Sequence, residues 1–267
     1  MELSIALNGQ GRSHFDRLYS DIKLALNDLT AQELIDIFVK SSTLAVKITW
    51  QSKKRAATNA YQFVKKHADR YKNDGVLNSL QKDITKANNF ILELPEKSKL
   101  LYDKFIALPK DKKIEVVAIT ILTAAIFFAS AGGTDIEGGL PDTDIAIGGI
   151  GAHRNIISHS ILIGLGVEFT GRFGILVLSR MRDRLPDNPH PAWGRVYMFL
   201  DNNKELAIAA MWAALGIHLL KDSGLIMGGF KPYTGIPTHL SAQSHQGLFA
   251  ANGIASGIFT GEGIRSI

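Results

Sequence analysis

IEVVAITILTAAIFFASAGG, residues 114–133, decides how the rest of the chain is read. Its one charge, Glu115, stands at the very start. Beyond Glu115 run about eighteen apolar or small residues, near the minimum for a helix that crosses a membrane. Lys110, Lys112 and Lys113 precede it. Basic residues beside a membrane segment favour the cytoplasmic side, so the expected location is the inner (cytoplasmic) membrane with the N-terminal unit in the cytoplasm. The competing reading of the same stretch is a buried core helix of a soluble protein.

Downstream lie three further apolar stretches, 156–179, 205–229 and 247–261. The first carries His159, Glu168 and Arg172, and the second His218, Lys221 and Asp222. Polar groups within apolar helices face a bundle interior or a wet cavity and default to a functional hypothesis. Between the stretches, RMRDRLPDNPHPAW (180–193) reads as a surface loop, and Arg180, Arg182 and Arg184 again favour a cytoplasmic face.

Upstream, residues 1–112 read as a soluble helical unit. Thr30-Ala31-Gln32-Glu33 is a capping-box pattern ahead of Leu34, Ile35, Ile37 and Phe38. A long helix is expected from about Thr43 to Tyr71, stopping at Asn73-Asp74-Gly75. A second is expected over roughly Val76–Leu92, a break at Pro95, then a third closed by Pro109. Spacings of three and four dominate and no alternating strand stands out, so the expected class is all-α. The expected division is a helical, basic domain over 1–112 and an apolar helical bundle over 113–267.

The 267 residues carry a net charge of +5 and no cysteine. That excludes structural disulfides and cysteine-type zinc sites. Seven bases against Asp69 in residues 51–72 (Lys53, Lys54, Arg55, Lys65, Lys66, Arg70, Lys72) mark a candidate surface for an anionic partner, lipid or nucleic acid. A solvated helix face explains them equally well.

The chemistry concentrates in two clusters. LPDTDIAIGGIGAHRNIISHS (140–160) holds Asp142, Asp144, His153 and His159. GIHLLKDSGL (216–225) adds His218 and Asp222, four apart and so on one face of a helix. That geometry lets a helix offer two ligands to one ion, although such pairs are also ordinary i,i+4 hydrogen bonds. Asp142 and Asp144 follow a Gly/Pro turn, where carboxylates serve either as metal ligands or as helix caps. Arg154 can grip a phosphate or carboxylate, and Lys221 can neutralise a phosphate or extend to water. The other histidines, His14, His67, His190, His239 and His245, read as surface groups, with His239 or His245 as an outside candidate for an extra ligand.

LPDTD, HRNIISHS and GIHLLKDSG, in that order between apolar helices, resemble the membrane-bound metal-dependent hydrolases, also described as LexA-binding, inner-membrane-associated hydrolases. The resemblance covers about residues 115–240. Pro141, Asp142, Asp144, His153, Arg154, His159, Ser160, His218 and Asp222 match the pattern, and Gly235 and Pro237 stand where its final turn falls. The family pattern has one residue fewer between its first two histidines. It also carries a histidine in its first helix, where this chain has none, Asp135 and Glu137 being the nearest substitutes. The resemblance implies metal-activated water attacking an ester or phosphoester, with a phospholipid as the substrate suited to membrane depth. Asp142, Asp144, His153, His159, His218 and Asp222 would be ligands or their orienters, and Arg154 and Lys221 catalytic groups. The histidine content favours zinc, then manganese. Two other classes fit the same residues: a non-catalytic membrane-associated effector or scaffold, and a small ion transporter.

Overall fold

The computed structural model describes residues 10–27, 29–149, 153–227, 229–234 and 240–265. Among the described residues every regular element is a helix: α1 (Gln10–Asn27), α2 (Ala31–Asp74), α3 (Val76–Ala107), α4 (Lys110–Ala131), α5 (Thr143–Gly148), α6 (Ile161–Arg182), α7 (Ala192–Asp222) and α8 (Ala242–Arg265). The all-α expectation holds. Gly235, Pro237 and His239 lie outside the described residues.

α2 begins where the capping box places it. Glu33 N–H donates to Thr30 Oγ1 at 3.2 Å, and Thr30 N–H donates to Glu33 Oε2 at 2.9 Å. The helix is longer than expected, running unbroken to Asp74, where Gly75 at φ 79° ends it. Glu33 also accepts from Arg184 at 2.8 Å, tying the start of α2 to the loop after α6. The Arg184 guanidinium, then the Thr30 amide, hold the Glu33 carboxyl down at about 2. Its folded value therefore lies below its unfolded one. The contribution is full above the ordinary carboxylate range and fades as pH falls through about 2. Thr30→Ala is expected to cost about 1 kcal/mol at neutral pH, read as a lowered unfolding midpoint in detergent.

The expected break at Pro95 does not occur, and α3 passes through it. Proline lacks the N–H that would bond Ile91, but its neighbours Glu93, Leu94, Glu96 and Lys97 are good helix formers, and one lost bond does not end the helix.

α4 and α6 are both long and apolar enough to cross a membrane. Only 11 % and 17 % of their apolar windows lie buried, so most of that surface faces outward. α7 is the central helix. It packs against α4, α6 and α8, and its Trp212, Leu215 and Leu219 form the core with Tyr233 and Phe249. α6 and α8 run antiparallel to α7, as Glu168 to Trp212 and Phe259 to Trp212 show. α4 runs parallel to it.

Close approach is set by glycine at Gly164, where a Cβ would stand 2.5 Å from the Trp212 ring. Gly164→Ala is expected to destabilise by about 1–3 kcal/mol through overpacking, visible in thermal unfolding.

α2 packs on α6 and α8, and buries Ser41, Ala45, Thr49, Ser52, Lys53 and Ala56 there. α2, from before the boundary expected near residue 112, thus packs directly on two helices from beyond it. The basic surface over 51–72 is also thinner than the sequence suggests. Lys53 Nζ is buried 2.6 Å from Glu168 Oε2, Arg55 pairs with Glu262, and Arg70 pairs with Asp83. A buried ammonium finds its carboxylate inside the bundle because it has no water to solvate it.

Candidate metal centre

The two clusters meet at one end of the bundle, where α4 and α7 end and α6 and α8 begin. A tight turn brings them together. Gly132 (φ 92°) and Gly139 (φ 76°) let the chain double back after α4, and Leu140 N–H closes it on Ser130 O at 3.0 Å. A Cβ on Gly132 would lie 2.1 Å from Glu137 O. No larger residue fits, and the turn is held on to Asp142, whose Oδ2 accepts from Gly138 N–H at 2.6 Å. Asp144 comes next, in the first turn of the short α5.

Asp144 is the organiser. It accepts from Ser158 Oγ at 2.5 Å and from Asn155 Nδ2 at 3.1 Å, and its Oδ1 lies 3.4 Å from His153 Nδ1. Ser158 has given its one hydrogen to Asp144, so its oxygen is left to accept. His159 Nδ1, 2.9 Å away, therefore donates to it. That leaves Nε2 facing two carboxylates, Asp142 Oδ1 at 3.0 Å and Asp222 Oδ2 at 3.6 Å, where it donates a proton to Asp142 without an ion and offers its lone pair to a bound one. His218 repeats the device. Its Nδ1–H donates to Ala131 O at 3.2 Å, and its Nε2 faces Asp222 Oδ2 at 3.6 Å. A ligating histidine is held in just this manner, by a hydrogen bond from its other nitrogen.

His153, on the approach to α6, brings Nδ1 to 3.3 Å from Asp142 Oδ1. Donor atoms thus converge as two triads sharing His159: Asp142, His153 and His159, and His159, His218 and Asp222, all within 4.8 Å inside each triad. The neighbouring separations of 3.0–3.6 Å match coordination edges. A four-coordinate ion with bonds of about 2.0–2.1 Å has ligands about 3.3–3.4 Å apart.

The electrostatics point the same way. His159, His218 and Asp222 are buried, and Asp222 Oδ2 has no hydrogen-bond donor. Burial raises the Asp142 carboxyl, but the hydrogen bond from His159 and the surrounding imidazoles outweigh it and hold it below the ordinary range. Burial raises Asp144 too, and the Ser158 hydrogen bond and His159 outweigh that. Asp144 and Asp222 are buried and Asp142 is half-buried, and Arg154, with Nε 3.9 Å from Asp222 Oδ2, and Lys231, with Nζ 3.6 Å from Asp222 Oδ1, bring positive charge to Asp222. A bound cation would add to it at the other two.

Of the residues the sequence singles out, Asp142, His153, His159, His218 and Asp222 gather in the triads. Asp144 stands behind them as an orienter. Arg154 lies at the edge, its backbone at φ 64° and its Nε buried without a partner. Such a conformation is uncommon for a non-glycine residue and concentrates at working sites. Lys221 is drawn elsewhere: its ammonium binds Asp135 O, Ile136 O and Glu137 Oε1, bracing the turn after α4. Asp135 and Glu137 join neither triad. His245 is buried beside Tyr233, with Nδ1 unpartnered, and also joins neither.

The sequence reading missed Ser158, Asn155, Lys231 and Tyr233. Lys231 Nζ lies 3.6 Å from Asp222 Oδ1, the place Lys221 was expected to serve. Tyr233 donates to His159 O at 2.5 Å, and Thr234 Oγ1 donates to His153 O, so one short segment braces both histidines. Ser158 had a local signal, since it adjoins His159. The other three did not.

Comparison with known proteins returns no matching protein family, no matching curated protein and no matching solved structure.

Proposed function

We propose that this chain is a membrane-associated, metal-dependent hydrolase acting on an ester or phosphoester, with a phospholipid as its substrate class. The observation that carries the reading is the inward turn of two buried imidazoles. Both donate from Nδ1 to the protein, and both point Nε2 at carboxylates, one of which has an orphaned buried oxygen. Lone pairs aimed at carboxylates repel unless a cation or proton lies between them.

Asp142, His153, His159, His218 and Asp222 would hold the ion, with zinc first and manganese second on their nitrogen and oxygen donors. A bound divalent ion of this kind supplies Lewis acidity and an acidified water. The chain does the rest. Asp144 and Ser158 keep His159 in one tautomer. Arg154 and Lys231, both half-buried, bring a guanidinium and an ammonium to Asp222, Lys231 being shared with Glu137 at 3.0 and 3.1 Å, and such groups suit an anionic ester. Lys221 and Glu137 hold the turn that carries Asp142.

The membrane part rests on the outward apolar faces of α4 and α6. Lys110, Lys112 and Lys113 begin α4, while Arg180 and Arg182 end α6, so both basic ends lie on the side opposite the metal centre. With the basic ends in the cytoplasm, the centre lies toward the outer leaflet of the inner membrane.

The test is elemental analysis of purified protein reloaded with zinc or manganese, beside His218→Ala/Asp222→Ala. About one equivalent bound by the wild type and lost in the double variant is expected. Hydrolysis of a chromogenic phosphoester and of phospholipid vesicles should then track metal content. A wild type that holds no metal after reloading overturns the reading.

A further inference from the structure

α3 carries a second pattern that the metal centre does not use. Leu77, Leu80, Ile84, Ala87, Ile91, Leu94, Ser98, Leu101 and Phe105 recur at alternating steps of three and four through four heptads. Within α3, Leu77 is 82 % accessible and Leu101 67 %, Leu80, Ile84, Ile91 and Leu94 are also open, and Phe105 is half-buried. The ion pairs that tie α3 to α2 sit at the hairpin end, where Arg70 and Tyr71 hold Asp83 and Lys82 holds Asp74. We propose that α3 forms an antiparallel two-stranded coiled coil with α3 of a second copy of this chain.

The period names a helix as the occupant. A strict 3-4 repeat over this length is the seam of a left-handed coiled coil, and Leu92, Leu100, Tyr102 and Ile106 lie exposed beside it. The polar face of α3 agrees. Five lysines, Lys82, Lys86, Lys97, Lys99 and Lys104, are nearly matched by four acids, Asp83, Glu93, Glu96 and Asp103. A surface-bound helix would show basic excess there. Pro95 falls beside the seam, not in it.

Charge complementarity selects the direction. Phe90 flanks the seam midway between Asp83 and Lys97, seven residues from each. In the antiparallel register that faces Phe90 with its own copy, Asp83 of each chain, also held by its own Arg70 and Tyr71, faces Lys97 of the other, which also pairs with its own Glu93. The same register sets Ser98 against Leu80, so the polar seam position meets a large residue. A parallel pair offers neither match: it sets Asp83 near Asn88 and Lys97 near Tyr102, and stacks Ser98 on Ser98.

The chain has no native cysteine, so single cysteines report cleanly. Phe90→Cys and Leu77→Cys are each oxidised mildly in the full-length protein, in detergent and in neutral phosphatidylcholine vesicles. Expected is a disulfide-linked dimer from Phe90→Cys and none from Leu77→Cys, whose copies lie at opposite ends. Light scattering should give twice the chain mass for the wild type and half that value for Ile84→Asp/Ile91→Asp. Circular dichroism of the last variant should keep its helix content, because Ile84 and Ile91 are exposed in the single chain. Self-linking of Leu77→Cys instead of Phe90→Cys overturns the antiparallel pairing. A wild-type monomer with neither disulfide overturns the proposal, and burial of the seam cysteines in vesicles by such a monomer assigns the seam to lipid.

Discussion

His159→Ala is expected to empty the metal centre, with affinity falling on the order of 100-fold or more. His159 alone belongs to both triads, so its loss leaves Asp142 and His153 on one side and His218 and Asp222 on the other, with no imidazole between. Neither remaining pair offers three donors. The side-chain ties to Ser158 and Asp142 go, but the backbone ties of residue 159 remain, its N–H on Asn155 O and the Tyr233 hydroxyl on its carbonyl. Ser158→Ala separates ligation from orientation. All ligand atoms stay, but Nδ1 loses its acceptor, and the imidazole is free to protonate at Nε2 and face away from metal binding. A 10–100-fold weakening, with stoichiometry restored at high metal, is expected of an orienting group, on the order of what outer partners contribute. Competition titration with a chromogenic chelator measures both. Equal and complete loss in the two variants would mean that Ser158 holds the fold and not the tautomer. No loss in His159→Ala would remove the centre altogether.

How much of this was readable in the chain depends on range. Thr30 and Glu33 write their cap within four residues, and the start of α2 follows from them. The donors were readable by type, since a histidine or aspartate amid Ile, Leu and Gly must find a partner. His153 and His159 converge despite the extra residue between them, because the chain bends at Arg154 before α6 begins. Lys53 misled for the opposite reason. In sequence it is one base among seven, and only the approach of α6 and α7 shows that Glu168 waits for it. Lys221 and Lys231 exchanged places in the same way. Lys221 lies beside Asp222 in sequence, but its helical direction sends it to the turn after α4, whereas Lys231 returns from the next loop, its N–H on Asp222 O at 3.0 Å. Pro95 misled because a local rule yields when the surrounding sequence is strongly helical.

The second large effect is expected far from the metal centre. Glu168 sits at 1 % exposure in the middle of α6 and takes three partners: Lys53 Nζ at 2.6 Å, Arg172 Nε at 3.0 Å and Trp212 Nε1 at 2.6 Å. Arg172 in turn grips Glu205 with two bonds, at 2.5 and 2.8 Å. The four charges sum to zero, and each is paired. Glu168→Ala leaves two buried cations sharing one carboxylate and strands the indole N–H of Trp212. The expected loss is about 3–5 kcal/mol, the range for breaking one side of a buried ion pair. Lys53→Met with Glu168→Gln removes one charge of each sign. The Gln carbonyl still accepts from Trp212 or Arg172, and the Arg172–Glu205 pair remains whole. This double variant is expected to recover most of the stability, since the penalty lies in the uncompensated charge and not in the absence of the pair. Thermal unfolding in detergent, monitored by circular dichroism, supplies the comparison. If Glu168→Ala unfolds at the wild-type midpoint, the quartet holds nothing together. If the double variant is as weak as the single one, the ion pair itself stabilises the junction of α2, α6 and α7, and charge balance does not explain it.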